Sequence, residues 1–415
     1  MFADLIIINA SNIATCRDDQ QGAGIIENGY VAVKDGIILG VAAGSPAQDL
    51  IGENIIIIDA EGKTVTPGLV DAHTHLVHGG SREKELPLKL KGVPYLEILK
   101  MGGGILSTVQ STRVASKEQL KEKAGKSLKE MLINGTTTVE AKSGYGLDID
   151  TEIKCLEAAL ELNALQPVDI VSTYMGAHAV PENFKGNTQG YMDFMLDKVM
   201  PYIAKHKLAE FLDVFCEEGV FSPEETKVIF QKAREMGFKL KIHADEIIPL
   251  QGAELAAEMN ATSADHLLAA SDKGIEDMAK AGVTAVTLPG TSFYLMLGKY
   301  AQARKMIDAG VRVAIATDYN PGTSPTESLQ TIMSFACFGM KLTPEEIIKA
   351  MTLNAAYALD RQQYIGSIEK GKKADLVIFD APNVDYIVYH YGINHVDTVI
   401  KNGKIVVKNR QIIEN

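Results

Sequence analysis

The chain has 415 residues, 46% hydrophobic and 23% charged, and its 41 Lys and Arg against 53 Asp and Glu leave a formal charge of −12. That length exceeds a small single-core domain and suits one large α/β barrel with an appended module. The acidic balance, with no long basic run to override it, excludes nucleic acid and anionic lipid as partners, and an anionic substrate needs a dedicated local cation.

The first zone, from Met1 to about Val65, predicts short strands and turns: Leu5-Ile-Ile-Ile, Tyr30-Val-Ala-Val, Ile37-Ile-Leu and Ile55-Ile-Ile-Ile, separated by Asn, Asp and Gly. Lys34-Asp35-Gly36 is a hairpin signal, because Asp-Gly tolerates the positive φ of a tight turn. The N-terminal residues lack the basic region and cleavage site of a signal peptide. Runs such as Ile55 to Ile58 are far too short to span a membrane. The four cysteines, Cys16, Cys155, Cys216 and Cys337, are scattered without a CxxC pair, which predicts reduced thiols in a cytoplasmic protein.

From about Leu69 the chain alternates. Strands are predicted at Leu69–His75, Thr136–Glu140, Ile170–His178, Phe211–Cys216, Lys239–His243, Thr262–His266, Val283–Leu288 and Val313–Asp318. Helices are predicted at Thr151–Asn163, Tyr191–His206, Pro223–Met236, Gln251–Met259, Asp272–Ala281 and Tyr294–Ala309. Ser222-Pro223-Glu-Glu starts a helix with a capping Ser, Pro at the first position and acids at the positive end of the dipole; Thr343-Pro344-Glu-Glu repeats it. Eight strands with intervening helices predict a (β/α)8 TIM-type barrel. The rival doubly wound sheet predicts a Gly-rich phosphate turn after the first strand, and this chain has His-Thr-His there. The last zone, from about Gly366, returns to short strands: Asp375-Leu-Val-Ile-Phe, Val396-Asp-Thr-Val-Ile and Ile405-Val-Val, with Asn402-Gly403 between the last two. Neither end has strands enough for its own core. A small β-sandwich built jointly from residues 1–65 and 363–415, around a barrel of residues 66–362, solves that problem.

In such barrels chemistry sits at the C-terminal ends of the strands. His73 and His75 end strand one, His178 strand three, His243 strand five, His266 strand six and Asp318 strand eight, while His206, His390 and His395 fall elsewhere. Residues i and i+2 of a strand face the same way, so His73 and His75 can grip one ion. Each residue alone has a bland alternative, a core histidine or, for Asp318, an Asx turn. Together His73, His75, His243 and Asp318 offer three nitrogens and one carboxylate oxygen. Those donors suit a single Zn²⁺ or Fe ion with an open water position. Glu246 stands three residues after His243.

With these residues in place, the chain resembles the amidohydrolase superfamily along nearly its whole length. The resemblance rests on Pro67-Gly-Leu-Val-Asp-Ala-His-Thr-His75, the barrel and the closing Ile368-Glu-Lys-Gly-Lys-Lys-Ala-Asp-Leu-Val. It implies metal-assisted hydrolysis at carbon–nitrogen bonds. Two-metal members use a carboxylated lysine at the end of strand four, where this chain has Glu217 and Glu218, so the one-metal branch is implied. Longer blocks are similar to the family within it that opens the imidazolone ring during histidine breakdown: Val77-His-Gly-Gly-Ser-Arg-Glu, Gly102-Gly-Gly-Ile-Leu-Ser-Thr-Val, Glu140-Ala-Lys-Ser-Gly-Tyr-Gly-Leu and Asp318-Tyr-Asn-Pro-Gly-Thr. His78 departs from that family, which usually has Phe there; a packing substitution is the plain reading.

The resemblance implies a five-membered cyclic amide with a propionate tail as substrate, a product of N-formimino-glutamate, and a homodimer. Arg82 suits the tail, since a guanidinium binds a carboxylate by two parallel hydrogen bonds; its bland alternative is a solvated Arg beside Glu83 and Glu85. Tyr145, His178, Asn320, Gly322 and Thr323 are further implied substrate contacts, with Glu246 binding a ring N–H and acting as general acid. Asp318 and His266 are expected to take the water proton, which of them chiefly being open. Two rival readings stay in play. One is another one-metal amidohydrolase such as a guanine-type deaminase; the other is a non-catalytic interaction protein on the same fold.

Overall fold

The computed structural model describes residues 2–93, 97–98 and 101–413. Strands from the two chain ends form one mixed sheet of nine, in which Thr64–Pro67 pairs with both Leu5–Ala14 and Leu376–Phe379 and so stitches the N-terminal half to the C-terminal half. Alternation along Leu5–Ala14 puts Leu5 and Ile7 in one apolar cluster and Ile6 and Ile8 in another, so the sheet is apolar on both faces. Asp35 (φ 50°) and Gly36 (φ 76°) make the expected hairpin turn, and Asn402 (φ 49°) with Gly403 (φ 75°) makes a second. The two turns touch: a Cβ on Gly36 would lie 2.7 Å from the Asn402 carbonyl oxygen, so glycine is required there.

Gly68 separates this sheet from an eight-stranded parallel sheet. Its strands, taken as barrel strands one to eight, are Leu69–Asp71, Thr136–Lys142, Asp169–Ala177, Phe211–Cys216, Lys239–Ala244, Ser263–His266, Thr284–Thr287 and Val313–Ile315. Each matches an expected strand, with ends shifted by a few residues. Strands one and eight stop early, but the chain beyond them stays paired: Asp318 N–H donates to His73 O (3.0 Å) and His75 N–H to Tyr319 O (2.8 Å). Asp71 adds a side-chain lock, accepting from the Thr317 N–H (3.0 Å) and hydroxyl (2.6 Å), and the barrel closes there.

The helices Pro223–Glu235 and Pro344–Ala350 open on full capping boxes, Ser222 with Glu225 and Thr343 with Glu346. Two expectations need correction. Of the helix expected at Tyr294–Ala309 only Ala303–Asp308 forms; a separate helix, Pro289–Tyr294, ends where it was expected to start, and Met296 (φ 54°) and Gly298 (φ 65°) turn left-handed between them. The helix expected at Tyr191–His206 runs from Thr188 and widens into a π-turn at Met195–Val199. Ile105–Val114 and Lys117–Ile133, between strands one and two, are additional helices with no counterpart in the sequence reading. Lys401, buried, bonds Asp375 (2.6 Å) and Asp169 (2.8 Å), tying the mixed sheet to the start of strand three. The cysteines are all free. Among the described residues no helix is long and apolar enough to cross a membrane.

Candidate active site

The strand ends converge as expected. His73, His75 and His243 are buried and offer ligand atoms that all lie within 4.8 Å of one another. Asp318 Oδ1 lies 3.5 Å from His73 Nε2 and 3.8 Å from His75 Nε2. Its other oxygen accepts from the Thr291 hydroxyl (2.5 Å), which aims Oδ1 at the histidines. Asp318 (φ 53°) and His266 (φ 74°) both hold left-handed backbone, a cost that functional positions commonly carry.

Burial drives the His73, His75 and His243 imidazoles well below their usual pKa, with neighbouring cationic groups adding to it, so they stay neutral. Neutral imidazole is the form that ligates a metal. His73 Nε2 and His243 Nε2 are buried with no hydrogen-bond partner, and an orphaned buried acceptor is costly unless something binds it. Their other nitrogens are spoken for: His73 Nδ1 meets Asp265 (2.7 Å) and His243 Nδ1 meets Asp213 (3.1 Å). Carboxylates behind the rings fix the tautomer that presents Nε2. The four residues therefore fit one metal ion.

Beneath them lies a charged network that the sequence reading missed. Lys142, fully buried, bonds Asp213 (2.6 Å), Glu140 (3.1 Å) and Asp265 (3.3 Å), and Lys241 bonds Glu140 (2.9 Å). Burial pulls the Lys142 pKa down, but the surrounding Asp213, Glu140 and Asp265 outweigh it and hold the ammonium charged. Asp213, His243 and Asp265 by themselves have the spacing of a second cation site; Lys142 already fills it with the protein's own cation. The available signal was periodicity. Glu140 with Lys142, and Lys241 with His243, sit two apart on barrel strands, hence on one face.

Glu246 Oε1 lies 3.6 Å from His266 Nδ1. Burial, helped by the nearby Glu217, raises the Glu246 carboxyl to about 7. Burial also raises Asp318, to about 6, against the pull of His266 and Thr291. A carboxyl held near neutrality is suited to donating a proton.

His178 stacks on His75, with ring centroids 5.0 Å apart, and Tyr145 lies 5.4 Å from His75 and 5.3 Å from His178. Burial lowers His178 to about 4. The loop carrying Tyr145 is fixed by Glu152, a further residue the sequence reading missed. One of its oxygens accepts from the Gly146 (2.7 Å) and Leu147 (2.9 Å) N–H groups, and the other from Gly144 (3.1 Å).

Arg82 is buried rather than solvated. Its Nε and Nη2 each donate to Glu85, at 2.9 Å, so it forms a buried ion pair with Glu85 and is not a solvated side chain. Lys89 joins them, 3.5 Å from Glu85 and donating to Gly322 O (2.7 Å). Gly322 lies against the guanidinium, since a Cβ there would fall 2.0 Å from Arg82 Nη1. Asn320 spends its side chain inside this loop, its oxygen accepting from the Gly322 and Thr323 N–H groups (both 2.8 Å) and its amide donating to Asp318 O (2.7 Å). Three residues separate Gly322 from Asp318, so the two Cα atoms lie at most about 14 Å apart. His78 bonds the His75 carbonyl oxygen (2.8 Å) and packs beside Tyr145 and Tyr319, as a packing residue. His206 stacks on Tyr202 and His395 bonds His390 O, both outside the site.

Residues 64–406 match the family model described as Amidohydrolase family, and the chain belongs to that family. It falls among the imidazolonepropionases within it. The imidazolonepropionase of Alkaliphilus oremlandii is 58% identical over 410 residues, covering 99% of this chain and 97% of that one. That of Treponema denticola is 61% identical over 385 residues, 93% of each. Among solved structures, a 5-methylcytosine deaminase from Klebsiella pneumoniae aligns with TM-score 0.74 at 19% identity, over 99% of this chain and 98% of that one. An adenosine deaminase from Xanthomonas campestris with bound zinc aligns with TM-score 0.71 at 20% identity, over 100% and 95%. At such identities these two speak for the fold alone.

Proposed function

We propose that this site hydrolyses the cyclic amide of 4-imidazolone-5-propanoate to N-formimino-glutamate, with one metal ion held by His73, His75, His243 and Asp318. The observation that carries it is the orphaned, neutral pair His73 Nε2 and His243 Nε2, with Asp318 Oδ1 3.5 Å from the first and Glu246 raised to about 7. Three imidazoles and a carboxylate suit zinc and iron alike. Such an ion, when bound, supplies a water acidic enough to ionise near neutral pH and polarises a carbonyl.

The chain's own residues do the rest. Asp318 accepts the water proton, and His266 donates to the oxyanion that develops on the ring carbonyl. Glu246, protonated, holds a ring nitrogen and passes its proton to that nitrogen as the carbon–nitrogen bond breaks. Arg82 receives the propionate, locally offsetting a protein of charge −12. Tyr145 and His178 wall the ring beside His75, while Asn320, Gly322 and Thr323 shape the tail end. In this reading residues 66–362 form the catalytic unit, with 1–65 and 363–415 as one supporting module, in a cytoplasmic homodimer.

The rival deaminase reading gives the Arg82–Glu85 pair beside Gly322 no substrate role, and the non-catalytic reading leaves an intact donor set unexplained. Replacing Glu246 with Gln tests the assignment. Metal content should stay at one ion per chain while turnover falls by about 10²–10⁴; an active variant refutes the role given to Glu246.

A further inference from the structure

We propose that Glu217, at the end of barrel strand four, is a positioning residue for the general acid, clamping the turn that carries Glu246. The inference rests on the reading of Glu246 as proton donor. Glu217 stands where two-metal amidohydrolases are expected to place a bridging lysine, so this position is released from metal binding and open to another use. It is 1% exposed, and the chain folds back around it, Glu217 N–H donating to Phe221 O and Val220 N–H to Glu217 O (both 3.1 Å). One carboxylate oxygen accepts from the Glu218 N–H (3.0 Å) and the other from the Ile247 N–H (2.9 Å). Both oxygens acting as acceptors is the pattern of an ionised carboxylate.

Ile247 directly follows Glu246, and its own side chain is 64% exposed and anchors nothing. The bond from Glu217 therefore holds the turn at that point across two strands. On the other side of Glu246, Asp245 (φ 48°) accepts from the Leu250, Gly252 and Ala253 N–H groups at 2.8–3.0 Å. Two carboxylates thus pin the backbone on either side of the acid, and its side chain is left to face the reaction. The charged and titratable groups around the Glu246 carboxyl are Glu217 from strand four, His266 from strand six and Asp318 from the strand-eight loop. Among them Glu217 is the group whose negative charge, after burial itself, favours the protonated acid.

The pH dependence of kcat/KM separates this from a merely structural role. If Glu246 works protonated, activity falls as pH rises through its pKa. Glu217→Gln removes the like charge, so the descending limb should move to lower pH by about one unit, with the ascending limb in place. Glu217→Asp keeps the charge but shortens the reach to Ile247; its kcat should drop about tenfold, the cost of an ångström-scale misplacement, with the descending limb where the wild type has it. An unmoved descending limb in Glu217→Gln overturns the proposal. Should that variant not fold, wild-type kcat in Glu217→Asp overturns it instead. An active Glu246→Gln enzyme defeats the parent reading; an inactive one beside an unmoved Glu217→Gln limb defeats the clamp alone.

Discussion

Gly322→Ala isolates the link between the strand-eight loop and Arg82. Gly322 needs no left-handed backbone, so an alanine there is free of conformational strain, but its Cβ would stand 2.0 Å from Arg82 Nη1 and 2.4 Å from Cζ. Ordinary contact is about 3.5–4.0 Å, so the guanidinium must retreat by about 1.5 Å. That exceeds what the paired 2.9 Å bonds to Glu85 tolerate, and the fork loses its aim. Because the clash falls on the end of a flexible side chain, the fold survives. One charge-assisted contact to the propionate contributes about 1.5–3 kcal/mol, and 1.4 kcal/mol is tenfold, so KM should rise about 10- to 100-fold. The tail is bound alike in ground and transition states, so kcat should stay within a factor of a few. Steady-state kinetics on the purified variant read both numbers. Wild-type KM refutes the placement of the tail at Arg82, and a collapse of kcat with KM unchanged refutes the ground-state argument.

Arg82→Lys should raise KM comparably, since an ammonium cannot keep the paired bonds to Glu85 while also reaching the tail; unchanged KM would show that the guanidinium's shape is not needed. Asp213→Asn should weaken metal affinity about 10- to 100-fold in a chelator competition, because it blunts the acceptor behind the His243 ring; wild-type affinity would show that the contact does not tune the ligand. Lys142→Met leaves Glu140, Asp213 and Asp265 buried with only Lys241, and should cost about 3–5 kcal/mol in urea unfolding of the metal-free protein. A loss below about 1 kcal/mol would show the network carries no such load. Glu152→Gln weakens the carboxylate that gathers the Gly144, Gly146 and Leu147 N–H groups, and should raise KM through Tyr145 and His178; an unchanged KM would separate the loop from substrate binding.

The barrel was legible because its strands are short apolar runs, several of them ending in histidine or aspartate, and parallel strands buried on both faces read as such runs. The proposed metal donors were legible because each is a polar residue at or just beyond a strand end. Lys142, Lys241, Asp213 and Asp265 were not: a charge inside a strand looks like a solvent-facing residue until the barrel closes and turns it inward. The Tyr294–Ala309 segment reads as one helix, but left-handed backbone at Met296 and Gly298 interrupts it and leaves Ala303–Asp308 as the helical part. Glu152 reads as an ordinary first-turn acid of helix Ile149–Leu165, and its contact with the Tyr145 loop exists only in three dimensions. The same holds for Glu217, whose partner Ile247 lies thirty residues away.

The central claim is tested most directly by supplying the purified, metal-loaded protein with imidazolonepropionate generated in place by urocanate hydratase. Loss of the imidazolone should be matched by N-formimino-glutamate, should stop on chelation and should return when zinc or iron is restored. An unconsumed imidazolone, with ammonia released from a purine instead, would contradict the account.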